Sequence, residues 1–304
     1  MIIVLYVVMC AIFGTTFLAI KIGIDAGLEP IFSAGIRFFL AGMILYMIIG
    51  FKDRKNFKLL FQKELMITGF FLTFGTFSAL YWAEKYVSSG IAALLSATGP
   101  IMILFIQGVI LKAKMNRLTI FGGLGGFIGV FLLFLPGLSI EKNSFWLIGC
   151  GVIIVGELLY CIGTVYSSSV IKKFNQYSPI ALNAVQMTYG GVFLFVFSFF
   201  IEKGSLSDLH SFGAISSLIY LIIAGSMLGH TIFYLLVAKT NAFFPTTWLY
   251  VSPVIALVIG AIFYHETLQL SMIVGALFIL FSLILVNFDK LINTRRSVKP
   301  QTIS

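Results

Sequence analysis

Apolar stretches of about twenty residues alternate with short polar breaks along the whole chain. The apolar runs fall at 2–21, 31–50, 65–83, 90–111, 118–136, 145–168, 179–201, 212–236, 245–264 and 271–288. None shows the strict apolar/polar alternation of a half-buried strand. A helix needs ~20 apolar residues to cross ~30 Å of hydrocarbon, and each run meets that length. A membrane β-barrel would instead show alternating segments of ~10 residues. The pattern therefore predicts an all-α membrane protein with ten transmembrane helices. The connections are too short to hold a soluble domain, and residues 289–304 form a polar, basic tail.

One stretch organises the rest. Tyr81 to Pro100, YWAEKYVSSGIAALLSATGP, ends one apolar run, turns on Ser88, Ser89 and Gly90, and enters a second run rich in Ala, Ser and Gly. Tyr234 to Pro253, YLLVAKTNAFFPTTWLYVSP, repeats its outline 153 residues later. The same offset pairs Gly122 with Gly275, and an offset of 149 pairs Pro30 with Pro179, Arg37 with Gln186 and Gly42 with Gly191. The chain then divides into two five-helix arms, residues 1–139 and 140–288. Five is odd, so the arms cross the membrane in opposite senses. Inverted repeats are a transporter architecture, with the binding site near mid-membrane between the arms.

Composition strengthens this reading. The 304 residues are 60% hydrophobic and 10% charged, with a mean hydropathy of +1.06; soluble domains carry about 25% charged residues. The formal net charge is +9, but the basic residues sit in short loops, which argues for a membrane orientation signal and not a nucleic-acid surface. With the N-terminus in the cytoplasm, the inner segments hold Lys52, Arg54, Lys55, Lys58, Lys63, Lys112, Lys114, Arg117, Lys172, Lys173, Lys239, Lys290, Arg295, Arg296 and Lys299. The outer segments hold only Lys21, Lys85, Lys142 and Lys203. Both termini are thus expected in the cytoplasm. Cys10, Cys150 and Cys161 each lie inside an apolar run and read as small buried hydrophobes. The first run has no basic leader before it and reads as a retained helix.

Ionisable groups inside hydrocarbon cost roughly 2.5–3.5 kcal/mol each on insertion scales, so each one needs a reason. Glu157 is the acidic residue deepest in any run, with Tyr160 and Thr164 on the same helical face. It reads as a contact for a substrate amine, as a proton-coupling carboxylate, or as a structural hydrogen-bonding group. Arg37 lies about 10 Å into its helix at 1.5 Å per residue. It can meet an anionic substrate group, pair with Glu157 or snorkel outward. Asn183 and Gln186 share a face that reads as a cavity wall. Glu84 closes the third helix, where a gating or substrate role competes with a cheap interfacial carboxylate; Tyr81 lies one turn before it. Trp248 and Tyr250, like Trp82, read as interfacial aromatics or as stacking groups for substrate. His230, a lone histidine, reads first as a packing residue. Pro100 and Pro253 lie inside runs, where each removes a backbone hydrogen bond and allows a kink that could gate a cavity. Gly122 with Gly126, and Gly225 with Gly229, are small-xxx-small pairs that predict close helix packing.

The chain has no P-loop, no dinucleotide glycine pattern, no HExxH and no GxSxG. No cluster of His, Cys and carboxylates has metal-ligand spacing, so neither a metal nor another cofactor is expected. A membrane-embedded enzyme acting on lipid or prenyl groups would need a catalytic cluster at the interface. A passive channel would need matched polar rings. The sequence supplies neither pattern.

Ordered pieces over nearly the whole chain carry a resemblance. They are FGTTFLAIKIGID (Phe13 to Asp25), SAGIRFFLAG (Ser33 to Gly42), WAEKYVSSGIAALLSATGPI (Trp82 to Ile101), GTVYSS (Gly163 to Ser168), LNAVQMTYGG (Leu182 to Gly191) and VSPVIALVIGAIFYHETL (Val251 to Leu268). In order and spacing they resemble the EamA family of the drug/metabolite transporter superfamily, close to its metabolite exporters. The resemblance implies ten helices in two inverted arms and export of amino acids or other small metabolites without ATP. There are departures. Family members often carry Gly-Glu at the ends of the fourth and ninth helices, where this chain has Lys112-Ala113 and His265-Glu266. Many have Trp before the first helix's glycine, where this chain has Phe13. The expectation is a secondary transporter in a bacterial plasma membrane that works by alternating access on a small metabolite, with protons as a candidate coupling ion.

Overall fold

A computed structural model describes residues 1–113, 116–137, 144–202, 204, 211–263 and 269–297, with the backbone alone at 137, 256–263 and 287–297. Every regular element among the described residues is helical. Eight helices are long and apolar enough to span a membrane: α1 Ile2–Asp25, α2 Pro30–Lys52, α3 Lys63–Ala83, α4 Ser89–Ile110, α5 Arg117–Phe134, α6 Ser144–Lys173, α7 Pro179–Ile201 and α8 Phe212–Lys239. Two further apolar helices follow, α9 Trp248–Phe263 and α10 Leu270–Ser297. The helix α10 runs on into the basic tail as far as Ser297. His265 and Glu266, and residues 298–304 of the tail, lie outside the described residues.

Local chemistry sets the helix ends. Prolines occupy the first turns of α2 and α7, where the missing N–H costs nothing. Ser178 caps α7 by accepting from the Ile180 N–H at 3.2 Å, and Ser211 caps α8 by accepting from the Ala214 N–H at 3.1 Å. The N-terminus of α2 is capped from another helix's end: the Glu202 carboxylate accepts from the Ile31 and Phe32 N–H groups at 3.1 and 2.9 Å. Beyond α1, Gly27 adopts φ 97°, a left-handed turn open to glycine at little cost.

Helices pair mainly across the middle of the sequence. The α2 helix packs on α7 and α5 on α10, while α1 packs on α8 and α9 and α6 on α3 and α4. Small residues permit these crossings. A side chain on Gly42 would meet the Thr188 hydroxyl at 2.5 Å and the Ala184 carbonyl at 2.8 Å, and one on Gly191 would meet the Phe39 Cα at 2.7 Å. Large apolar side chains such as Leu18, Phe121, Phe199 and Leu277 point outward, as lipid contact requires.

Three helices depart from regular α geometry. Wider π-type turns occupy Gly69–Gly75 in α3, Leu221–His230 in α8 and Ile106–Ile110 at the end of α4. Such turns are frequent at functional sites. The α4 helix also breaks at Ala97 and Thr98 and restarts at Gly99, so Pro100 stands in the first turn of a new segment. Pro253 lies inside α9, and the corresponding break comes earlier, at Thr247, after the one-turn helix Phe243–Thr246.

Candidate functional site

A cavity of about 50 Å³ lies between α1, α2, α3, α4, α6, α8 and α9. One water needs roughly 10–15 Å³ by the same measure, so the space holds a few waters and no larger solute. A solute larger than that needs the surrounding helices to part.

The basic end of the cavity is Arg37, 1% exposed. Its Nε donates to the Ser226 hydroxyl at 2.8 Å and its Nη1 to the Tyr81 hydroxyl at 3.0 Å. The guanidinium lies 4.6 Å from the Phe38 ring centre and 5.2 Å from that of Phe77. Gly225, with no side chain, gives it room: a Cβ there would come within 2.9 Å of Nη2. The charge is held by neutral oxygens and ring faces. Among the described residues no ion pair neutralises it.

The acidic group is Glu157, buried on α6. It packs into the break of α4, where Gly99 leaves the space its Oε1 occupies, and that oxygen has no hydrogen-bond partner. The Cys161 thiol, one turn on, donates to the Gly99 carbonyl at 3.2 Å and holds α6 to the break. Tyr160 accepts from the Trp248 indole N–H at 3.3 Å, and Thr164 lies buried one turn further along the same face. Arg37 and Glu157 thus share one cavity without pairing with each other.

Rings wall the space between them. Phe13 lies 4.7 Å from Trp248 and 5.2 Å from His230, and Phe77 lies 5.6 Å from His230, centre to centre. His230 closes the wide-turn segment of α8, and its Nδ1 is buried without a partner. The arrangement offers a fixed cation and a carboxyl group, each with unused hydrogen-bonding capacity, on an aromatic floor. Its chemistry is complementary to a small solute carrying both an anionic and a cationic group.

The candidates named from sequence divide. Arg37, Glu157, Tyr160 and Trp248 line the cavity, and Tyr81 touches it through Arg37. Asn183 and Gln186 are fully buried elsewhere: Gln186 donates to Asn183 Oδ1 at 3.0 Å and accepts from Thr73 at 2.8 Å, and Asn183 reaches Thr231 at 3.4 Å. Tyr250 packs on Gly126 and donates to the Gly123 carbonyl at 2.8 Å. Gly122 meets Ser282 and Val286 of α10, and Gly229 makes room for the Phe13 ring. Glu84 is buried at the end of α3, away from the cavity wall. Sequence reasoning gave no site role to Phe77 or Ser96 and set His230 aside. The Gly225 and Gly229 pair was the available signal for His230, since it admits large groups beside that residue.

Known proteins share this fold. A crystal structure of another protein superposes with a TM-score of 0.74 over 97% of this chain and 98% of its own, at 14% identity. The uncharacterized transporter YoaV of Bacillus subtilis (strain 168) is 30% identical over 275 residues, 88% of this chain and 90% of that protein. The uncharacterized inner membrane transporter YedA of Escherichia coli (strain K12) is 27% identical over 280 residues, 92% of this chain and 88% of its own. The protein PagO of Salmonella typhimurium is 26% identical over 262 residues, 83% of this chain and 82% of its own. The EamA-like transporter family model matches residues 1–135 and 147–288. With apolar spanning helices around a shared cavity and a family match over nearly its whole length, the chain is a multi-pass membrane protein of the EamA-like transporter family.

Proposed function

We propose that the protein is a secondary transporter that exports amino acids or other small metabolites by alternating access, without ATP. The carrying observation is that Arg37 and Glu157 line one ring-walled cavity, each without an ionic partner among the described residues. A zwitterion satisfies both, its carboxylate at Arg37 and its amine at Glu157. Solvation lost on entry is replaced by charge-assisted bonds, which are roughly twice as strong as neutral ones.

Ten spans in two inverted arms, 1–139 and 140–288, are part of the proposal. The α2–α7 and α5–α10 contacts pair helices five apart. The contacts α3–α6 and α3–α7 have α8–α1 and α8–α2 as counterparts, and both α3 and α8 carry wide turns. These support the two-arm reading, as does a family match in each half. The split of basic residues supports cytoplasmic termini in a bacterial plasma membrane. A cysteine replacing the exposed Asn175 is then shielded from an impermeant thiol reagent outside intact cells, and one at Asn143, outside the described residues, reacts. The reverse pattern overturns the orientation.

Counterflow in proteoliposomes against a panel of amino acids and small metabolites tests the function. Glu157→Gln keeps the shape and removes the charge. It should fold and lose most transport of amine-bearing substrates. Unchanged transport by a folded Glu157→Gln protein would make Glu157 a packing residue.

A further inference from the structure

Glu84 is 0% exposed, and both of its carboxylate oxygens lack a hydrogen-bond partner. It caps α3 one turn beyond Tyr81, whose hydroxyl holds Arg37. An ionised carboxyl in such a place costs several kcal/mol unless donors or a cation meet it. Its charged neighbours are Lys21 and Asp25 of α1 and Arg37 of α2. Lys21 is committed elsewhere: its ammonium donates to the Glu84 backbone carbonyl at 3.2 Å and pairs with Asp25 at 3.0 Å. Arg37 is held by Ser226 and Tyr81. The α4 segment carries no charged residue, and α6, which meets the end of α3 at Gly149, has no charged residue nearer than Glu157. Solvent is nonetheless close. The next residue, Lys85, bridges to Glu29 at 2.9 Å with both side chains about one-third exposed, at 33% and 36%.

We propose that Glu84 is a proton-binding site of the transport cycle, loaded from the outer solution and separate from the Glu157 cavity. A proton from outside water bonds to one Glu84 oxygen, and the neutral carboxyl is then buried as seen here. When the helices part on the inner side, the cavity wall at Leu80, one turn of α3 before Glu84, gives the proton its way out to inner water, and the carboxylate left behind is met by Arg37 or Lys21. Proton entry is then coupled to metabolite exit. This inference rests on the transport reading, so its test begins with a measurement that needs no transport.

Infrared difference spectra of the purified full-length protein in nanodiscs, acid minus alkaline, read protonated carboxyl groups directly. Glu84→Gln should remove one carbonyl band that Glu157→Gln keeps; a spectrum unchanged by Glu84→Gln overturns the proposal. If Glu84→Gln does not fold, Glu84→Asp carries the test: the band must shift in frequency, and an unshifted band overturns it. The second measurement uses proteoliposomes loaded with the twenty standard amino acids. Glu84→Gln should keep exchange at equal pH and lose accumulation driven by a pH gradient. Loss of both, or of neither, rejects the coupling role. A wild type that moves no amino acid counts against the proposed substrate class and leaves the infrared result to decide Glu84.

Discussion

The helices α2 and α7 share one skeleton and differ in chemistry. Each begins on a proline, carries a buried polar residue seven positions later and crosses the other helix at a glycine: Pro30, Arg37 and Gly42 against Pro179, Gln186 and Gly191. Gln186 is closed into a net with Thr73 and Asn183. Arg37 keeps an unneutralised charge facing the cavity. Both are buried, so burial does not separate scaffold from site. What separates them is how much of each group's bonding capacity the protein itself uses.

The crossing shared by the two helices gives the largest expected effect. Gly191→Ala puts a Cβ against the α2 backbone at Phe39, where no side-chain motion relieves it, and should cost roughly 3 kcal/mol. The detergent-solubilised protein should melt well below wild type; an unchanged melting temperature would mean the helices do not cross there. Arg37→Gln comes next. It keeps a donor near the Nε position for Ser226 but removes the charge and the outer donor to Tyr81, and counterflow of a carboxylate substrate should fall roughly a hundredfold, or about 2.8 kcal/mol. Equal rates would place the anion site elsewhere. Gln186→Leu should do the opposite. It leaves Thr73 and Asn183 short of a partner and lowers stability by about 2 kcal/mol, with transport per folded molecule unchanged. A folded Gln186→Leu protein with altered substrate preference would erase the contrast between the two helices. Ser226→Ala is the mildest change, since Arg37 retains Tyr81. It should weaken transport only severalfold, about 1 kcal/mol.

The spanning helices were legible because lipid demands long apolar runs, and the crossing glycines because small residues recur at matched positions. Arg37 and Glu157 stood out because charge in hydrocarbon needs compensation. The destination of each polar side chain was less legible. Asn183 and Gln186 look like a cavity face from helical spacing, yet spacing does not say which neighbour a face meets, and here it meets Thr73 and Thr231. Trp248 and Tyr250 sit two residues apart, so their side chains leave α9 in different directions, one into the cavity and one onto Gly126. The break in α4 falls before Pro100, because proline tolerates a first helical turn better than an interior one.

The capping of α2 by Glu202 joins the last turn of α7 to the first turn of a helix 171 residues earlier in the chain. Together with the Gly42 and Gly191 crossing, it fastens α2 to α7 by contacts that owe nothing to chain continuity. Residues 138–143 between α5 and α6 are then dispensable as a covalent link. Two separately synthesised pieces, 1–137 and 144–304, should find each other in the membrane along α2 and α7. Neither piece alone would own a complete cavity, because Arg37 arrives with one and Glu157 with the other.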